Sequence, residues 1–188
     1  MLIVRIFLAI LESISPKTIY ETHLKAINPR WFEQYKYILV ELYVMAWLSF
    51  EIVIFIYLIH IPMLLVLIFF IWRLLDIFQS IFSIGILSEE PLPYSIQRML
   101  ILLLTGIIEV SIIYGAFDYI YKNAFLSGQN HIQTIGQSLY HSIMTLTTIG
   151  SNYSPQNIVG YSLTYSEIAF SILFLIVVIQ RIVSLFKN

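Results

Sequence analysis

Four long apolar runs, Tyr37–Ile59, Met63–Leu87, Met99–Tyr121 and Ser162–Phe186, set the terms on which this chain can fold. An α-helix rises about 1.5 Å per residue and the hydrocarbon core of a bilayer is about 30 Å thick, so about 20 consecutive apolar residues are needed to cross it. Each run is long enough. Composition closes off a water-soluble alternative: 59% of the 188 residues are apolar and 11% are charged, where a soluble domain carries about 25% charged side chains. So few charges cannot solvate a globular surface, and the lipid bilayer is the expected surrounding. The expectation is an all-α membrane protein with four transmembrane helices.

Proline and polar residues punctuate the runs. His60-Ile61-Pro62 divides the first two, because proline ends a helix, and a tight turn there makes residues 37–87 a transmembrane hairpin. Residues 88–97, SEEPLPYSIQ after Leu87, read as a cytoplasmic linker. Residues 98–188 hold the last two runs, with a shorter helical stretch, His131–Thr147, between them. At the other end, Met1–Ile14 is apolar but too short to span, and Arg5 and Glu12 share one helical face. That pattern predicts a helix lying in the membrane interface. A signal peptide is the competing reading, although no small-x-small cleavage site follows. Residues 1–36 are then an interfacial helix and a polar segment carrying Lys17, Lys25, Arg30 and Lys36.

Lysine and arginine concentrate on the cytoplasmic side of membrane proteins. With Ser15–Lys36 inside, four spans return the linker and the C-terminus to the same side. That side then carries Lys17, Lys25, Arg30, Lys36, Arg98, Arg181 and Lys187, and the opposite loops carry Lys122. The chain is expected in the cell membrane, multi-pass, with both termini cytoplasmic.

The most informative segment is Gln137–Gln156, QSLYHSIMTLTTIGSNYSPQ. A half-length helix, then Thr-x-Gly, then proline, then a full span is not the pattern of a plain bundle. Irregular backbone at membrane depth is allowed only where protein buries it or where it lines an aqueous cavity, and a re-entrant loop meets that condition. Leu139–Gly150, LYHSIMTLTTIG, resembles the pore helix and filter entry of the tetrameric potassium-channel superfamily, whose pattern is roughly LYFSxxTLTTVGYGDxxP. The TLTT-[IV]-G core is intact. The similarity covers about half the chain, Arg98–Phe186, counting the helices that flank a carbonyl-lined pore.

The resemblance implies a channel pore domain at 98–188, a re-entrant pore helix and filter loop beside the four spans, and a fourfold homotetramer, since one chain supplies one filter strand. It implies passive permeation of monovalent cations, K+ and/or Na+, with no cofactor and no metal beyond the permeant ions. In that family the hydroxyl and carbonyl of Thr148 and the carbonyls of Ile149, Gly150 and Ser151 would replace water around a desolvated cation. Asn152 completes the candidate ion-binding set. The C-terminal, partially negative end of the pore helix would face the ion path. Thr145 and Thr147 are expected to tether the filter by hydrogen bonds.

The departures from the family pattern carry expectations of their own. GYGD is replaced by Gly150-Ser151-Asn152, which puts Ser151 at the tyrosine and Asn152 at the second glycine, with the aspartate deleted. Asparagine tolerates left-handed backbone better than other side chains. Losing the tyrosine removes the aromatic cuff that braces the filter. Asn-Tyr-Ser-Pro-Gln is also similar to the outer filter of the bacterial sodium- and potassium-conducting channels. Fewer ordered ion sites and relaxed K+/Na+ selectivity are expected.

The last run resembles the family's inner helix. Glu167 falls where many members carry an acid behind the filter, and it either supports the filter or sits hydrated near the outer interface. Ser171 or its neighbours replace the usual hinge glycine. Ala169, Ile172, Leu173, Ile176 and Ile179 are candidate liners of an apolar cavity that gates by dewetting, or else face lipid.

Glu51, Arg73, Asp76 and Glu109 interrupt otherwise apolar runs. Ions buried at that depth are normally paired. Arg73 is therefore expected to pair with Glu51 or Glu109, with Asp76 one turn away on its own helix. The pair is either a bridge fastening the hairpin to the pore domain or a gating element that re-pairs on opening. One arginine is not the repeated series of a voltage sensor.

His60, His131 and His141 are too scattered for a metal site, and pH sensing is not the role expected of them. Asn152-Tyr153-Ser154 matches a glycosylation sequon, but burial in a filter opposes its use. A net charge of −1 offers no basic field to nucleic acid, and the absence of cysteine excludes thiol chemistry. No GxGxxG, Walker, HExxH or GxSxG pattern occurs, and no enzyme is expected. The alternative function is a non-conducting structural or regulatory membrane subunit with a channel-like fold. A transport subunit would need repeats of the loop, and the chain holds one copy.

Overall fold

The computed structural model describes residues 29–82, 96–128 and 130–185, with His23 and Ala26 ahead of them. The interfacial helix expected at Met1–Ile14 and most of the linker lie outside the described residues. Helix dominates: α1 is Pro29–Ile56, α2 Met63–Phe82, α3 Ile96–Ile120, α4 Ile135–Leu146 and α5 Ile158–Leu185. All of these except α4 are long and apolar enough to cross a membrane.

Between α1 and α2 the chain makes a single 3-10 turn, Leu58–His60, and Ile61 is extended at φ −98° and ψ 137°. That is the conformation proline imposes on the residue before it. The Pro62 carbonyl then accepts from the amides of Leu65 and Val66 at 3.0 and 3.3 Å and opens α2.

The centre of the bundle is α3, which packs against α1, α2, α4 and α5. Every residue from Glu109 to Asp118 is buried, as expected of a helix with small or apolar side chains on most of its faces. Val66 and Phe70 of α2, Val110, Ile113 and Phe117 of α3 and Phe174 of α5 form the core. A Cβ added at Gly115 would stand 3.2 Å from the Leu139 Cα. The α3 and α4 backbones therefore meet there, a close approach that small residues permit between membrane helices. The outward faces of α1, α2 and α5 keep large apolar residues such as Ile56, Leu64, Ile68 and Leu175 exposed.

A small sheet closes one end of the bundle. After α3 come a 3-10 turn, Lys122–Ala124, then β1 (Phe125–Ser127), a turn at Gly128, and β2 (Asn130–His131), while β3 (Ser154–Pro155) precedes α5. β1 is central and antiparallel to both neighbours, with Leu126 opposite His131 and Phe125 opposite Pro155. Phe125 and Ile132 are fully enclosed beneath it with Ala124. The sequence predicts only a polar connection here, because strands this short carry no legible alternation. The sheet fixes the path of the α4 unit: β2 feeds α4 and β3 receives the chain after it, so the unit leaves and returns at the same end.

Candidate functional site

α4 starts with a capping box. Gln137 N donates to Thr134 Oγ1 and Thr134 N donates to Gln137 Oε1, both at 3.2 Å, which satisfies two amides that a helix start otherwise leaves open. Its 12 residues give a length of about 18 Å, roughly half the thickness of a hydrocarbon core. Ser138, His141, Ser142 and Thr145 form its buried stripe, while Tyr140 and Ile143 are exposed. This inverts the pattern of a water-soluble amphipathic helix: the polar face turns into the protein, where His141 and Ser142 meet partners and Ser138 and Thr145 bond back to their own helix.

Two hydrogen bonds fix α4 beside α5. Ser142 Oγ donates to Glu167, and Ser171 Oγ donates to the carbonyl of Leu146. The contacts advance together by one turn on each helix, so α4 and α5 run side by side in the same direction. Ser171 lies 13 residues past Ile158, which puts the end of α4 about 20 Å along α5. Ser171, which stands where the resemblance would put a hinge glycine, anchors the end of α4. Glu167 is 1% exposed and is a buried acceptor, not a hydrated interfacial acid.

Beyond α4 the backbone turns sharply. Thr148 N donates to the Thr145 carbonyl at 3.0 Å and Gly150 N to the Met144 carbonyl at 3.1 Å, a left-handed helix termination that uses carbonyls the helix end leaves unpaired. Thr148 has φ 59° and Gly150 φ 90°. Glycine adopts such values freely, but for a β-branched threonine the left-handed region costs about 1–2 kcal/mol. Ile149 and Ser151 keep ordinary negative φ, so handedness alternates from 148 to 151. Asn152, the residue expected to use left-handed backbone, does not use it. Thr147, Thr148, Ile149, Gly150 and Asn152 are exposed, Ile149 by 73%.

The hydroxyls of Thr145 and Thr147 do not tether this loop. They donate to the carbonyls of His141 and Ile143 at 2.9 and 2.7 Å, each one turn back on α4. The loop is held instead by the two amides already described and by Ser151. Ser151 Oγ lies 2.7 Å from His141 Nδ1 and accepts from Tyr153 N at 3.0 Å. The imidazole lies between the rings of Phe125 and Tyr153, at centroid distances of 4.8 and 5.8 Å, and its Nε2 is 4.0 Å from Asp118 Oδ2. The loop at Ser151 is thus braced from behind by an imidazole from α4. Asp118 is absent from the residues singled out in the sequence, although an acid within the Met99–Tyr121 run is a visible signal. His141, Ser142 and Tyr153 carry no signal before the helices are paired.

A second polar cluster lies away from the loop. Arg73 donates through Nε to Glu51 at 3.1 Å, through Nη2 to both oxygens of Glu109 at 2.9 Å, and through Nη1 to Asp76. Tyr43 OH donates to Asp76 at 3.0 Å, and the guanidinium lies 5.5 and 5.2 Å from the Tyr43 and Trp47 ring centroids. All four charged side chains are at most 3% exposed. The structure thus gives Arg73 both candidate carboxylates at once and Asp76 as a third, linking α1, α2 and α3.

On α5, Ala169, Ile172, Ile176 and Ile179 lie on one exposed face, while Leu173 turns partly toward the core. That phase is invisible in a helix apolar on both sides.

Residues 99–188, from the start of α3 through the loop and α5, match the sequence model of a family described as "Ion channel". No curated protein and no solved structure matches the chain. The family match supports an ion-channel function for the C-terminal half, and the four apolar helices accord with a membrane protein.

Proposed function

We propose that this chain is a channel subunit for passive permeation of monovalent cations, K+ and Na+, working as a fourfold homotetramer in the cell membrane with both termini cytoplasmic. The observation that carries the reading is the loop of alternating hand, Thr148–Ser151, at the inner end of a half-length helix whose flanking strands leave and return at one end of the bundle. Reversing φ at every second residue turns alternate peptide planes over. Carbonyls that would face opposite ways in a strand can then face one way, as a desolvated cation needs.

Thr148, Ile149, Gly150, Ser151 and Asn152 would supply the ion-binding groups, and the negative end of the α4 dipole would favour a cation beside them. Below the loop, the exposed face of Ala169, Ile172, Ile176 and Ile179 would line an apolar passage, with Leu173 no longer among the liners. A serine in place of the family's tyrosine supports relaxed K+/Na+ selectivity.

Purified protein in liposomes tests this by separate K+ and Na+ flux, with Thr148→Ala beside the wild type. Flux of both ions in the wild type, lost in T148A while the variant stays assembled, is the expected result. A wild type that carries neither ion across pH and voltage overturns the proposal and leaves the non-conducting subunit as its replacement.

A further inference from the structure

The hydrogen-bond arithmetic around Ser151 goes further than the permeation reading on which it rests. A serine hydroxyl has one proton to give and two lone pairs to receive with. Tyr153 N–H already donates to Ser151 Oγ. In the Nε2–H tautomer of a neutral imidazole, Ser151 Oγ donates to His141 Nδ1 and the ring's proton sits on Nε2, the atom that faces Asp118. Asp118 Oδ2 is buried and has no hydrogen-bond partner among the described residues, and His141 Nε2 stands 4.0 Å from it. Groups from three elements thus come together on the ring: the α3 carboxylate on one nitrogen's side and the loop hydroxyl on the other's.

We propose that His141 and Asp118 are positioning residues for the permeation loop, the imidazole holding Ser151 from behind and the carboxylate fixing which ring nitrogen carries the proton. A carboxylate on the far nitrogen of a histidine sets its tautomer in just this way. The arrangement has a second setting. When the imidazole takes up a proton, Nδ1–H becomes the donor and Ser151 Oγ the acceptor. Both Ser151 lone pairs are then filled, by His141 and by Tyr153, and the hydroxyl proton must turn into the loop. One proton on His141 therefore reverses the polarity of the bond that braces the loop, without any helix moving.

The titratable groups around the ring are Asp118 of α3, the Tyr153 phenol after the loop, and Glu167 of α5, which bonds the adjacent Ser142. Tyr114 of α3 interacts electrostatically with both carboxylates. The His141 imidazole is the titratable side chain hydrogen-bonded to Ser151 among the described residues, Tyr153 reaching it through its backbone amide.

The test is the K+-to-Na+ flux ratio of the full-length protein in liposomes, read at neutral pH and again on acidification down to about 4, the value to which burial pushes the His141 imidazole. Ser151→Ala and His141→Leu are each expected to shift the neutral-pH ratio by about fivefold, the size of one lost hydrogen bond. The double variant is expected to go no further than either single one, because both break the same link. His141→Asn places an amide oxygen near the position of Nδ1. It is expected to keep the wild-type ratio at neutral pH but to lose the wild type's change on acidification. Asp118→Asn keeps the shape but replaces the acid that faces Nε2, and a neutral-pH ratio shifted toward that of H141L is expected; an unchanged ratio removes Asp118 from the positioning pair. A conducting wild type whose ratio is indifferent to S151A and H141L, or an acid response that persists in H141N, overturns the positioning proposal alone. A wild type without flux overturns the permeation reading and this proposal with it.

Discussion

Two buried polar clusters hold this bundle together, and they are built on opposite plans. Around Arg73 one guanidinium meets three carboxylates from three helices, and every guanidinium nitrogen has a carboxylate to bond. Around His141 the groups are hydroxyls, an imidazole and two carboxylates. The contacts there are single: Ser142 to Glu167, Ser151 to His141, and an Asp118 oxygen with no bond among the described residues. The first cluster fastens helices and makes no bond to the loop. The second joins α3, α4 and α5 to the loop itself. Dense charge in a low dielectric is costly to rearrange, so it suits a fixture, whereas a chain of single hydrogen bonds around a titratable ring can change setting at modest cost.

That contrast can be broken by substitution. Arg73→Met strands three buried carboxylates and is expected to cost about 3–5 kcal/mol, the range for removing one partner of a buried ion pair. Thermal unfolding in detergent would register it. Replacing the set together, Glu51→Gln, Arg73→Met, Asp76→Asn and Glu109→Gln, should recover part of the loss. A conducting form of that quadruple variant with an unaltered ion ratio would mark the cluster as a fastener. A changed ratio would make it part of the gate. Next in size, Ser142→Ala takes a donor from the buried Glu167 carboxylate, at about 1–3 kcal/mol of stability in the same assay. Tyr43→Phe removes one donor from Asp76, which keeps Arg73, and about 1 kcal/mol is expected. Any shift in ion ratio from Y43F would blur the two clusters into one. Smallest of all, Thr147→Val should change stability by less than about 0.5 kcal/mol, because its hydroxyl only bonds back to its own helix.

Much of this architecture is legible in the chain, for reasons that differ by element. The spans show because length and apolarity are the only requirements lipid imposes. The charged cluster shows because Glu51, Arg73 and Glu109 stand out in apolar runs and have nowhere to go but to each other. The α4 unit shows through its half length and its Thr-x-Gly ending. Other features leave no such trace. β1, β2 and β3 have too few residues for a period to register, and pairing across the α4 unit creates them. Thr148 takes a backbone hand that local preference assigns to Gly150 or Asn152, and only the closure onto Thr145 and Met144 imposes it. The hydroxyls of Thr145 and Thr147 could reach either the loop or their own helix, and sequence does not choose between carbonyls. The facing of α5 is hidden because apolar residues surround it.

The sheet has a mechanical consequence. With β2 and β3 both clamped to β1, and Leu146 bolted to Ser171 at its far end, the α4 unit is an arch held at its feet and its crown, not a flap on a hinge. An arch so held cannot swing aside. A load arriving along α5 must be taken up as torsion in the short stretch between the bolt and the clamp, at the strained Thr148 and the compliant Gly150. In the proposed channel, opening or closing at the level of the loop would then be a matter of one or two peptide planes turning over, with the helices at rest around them.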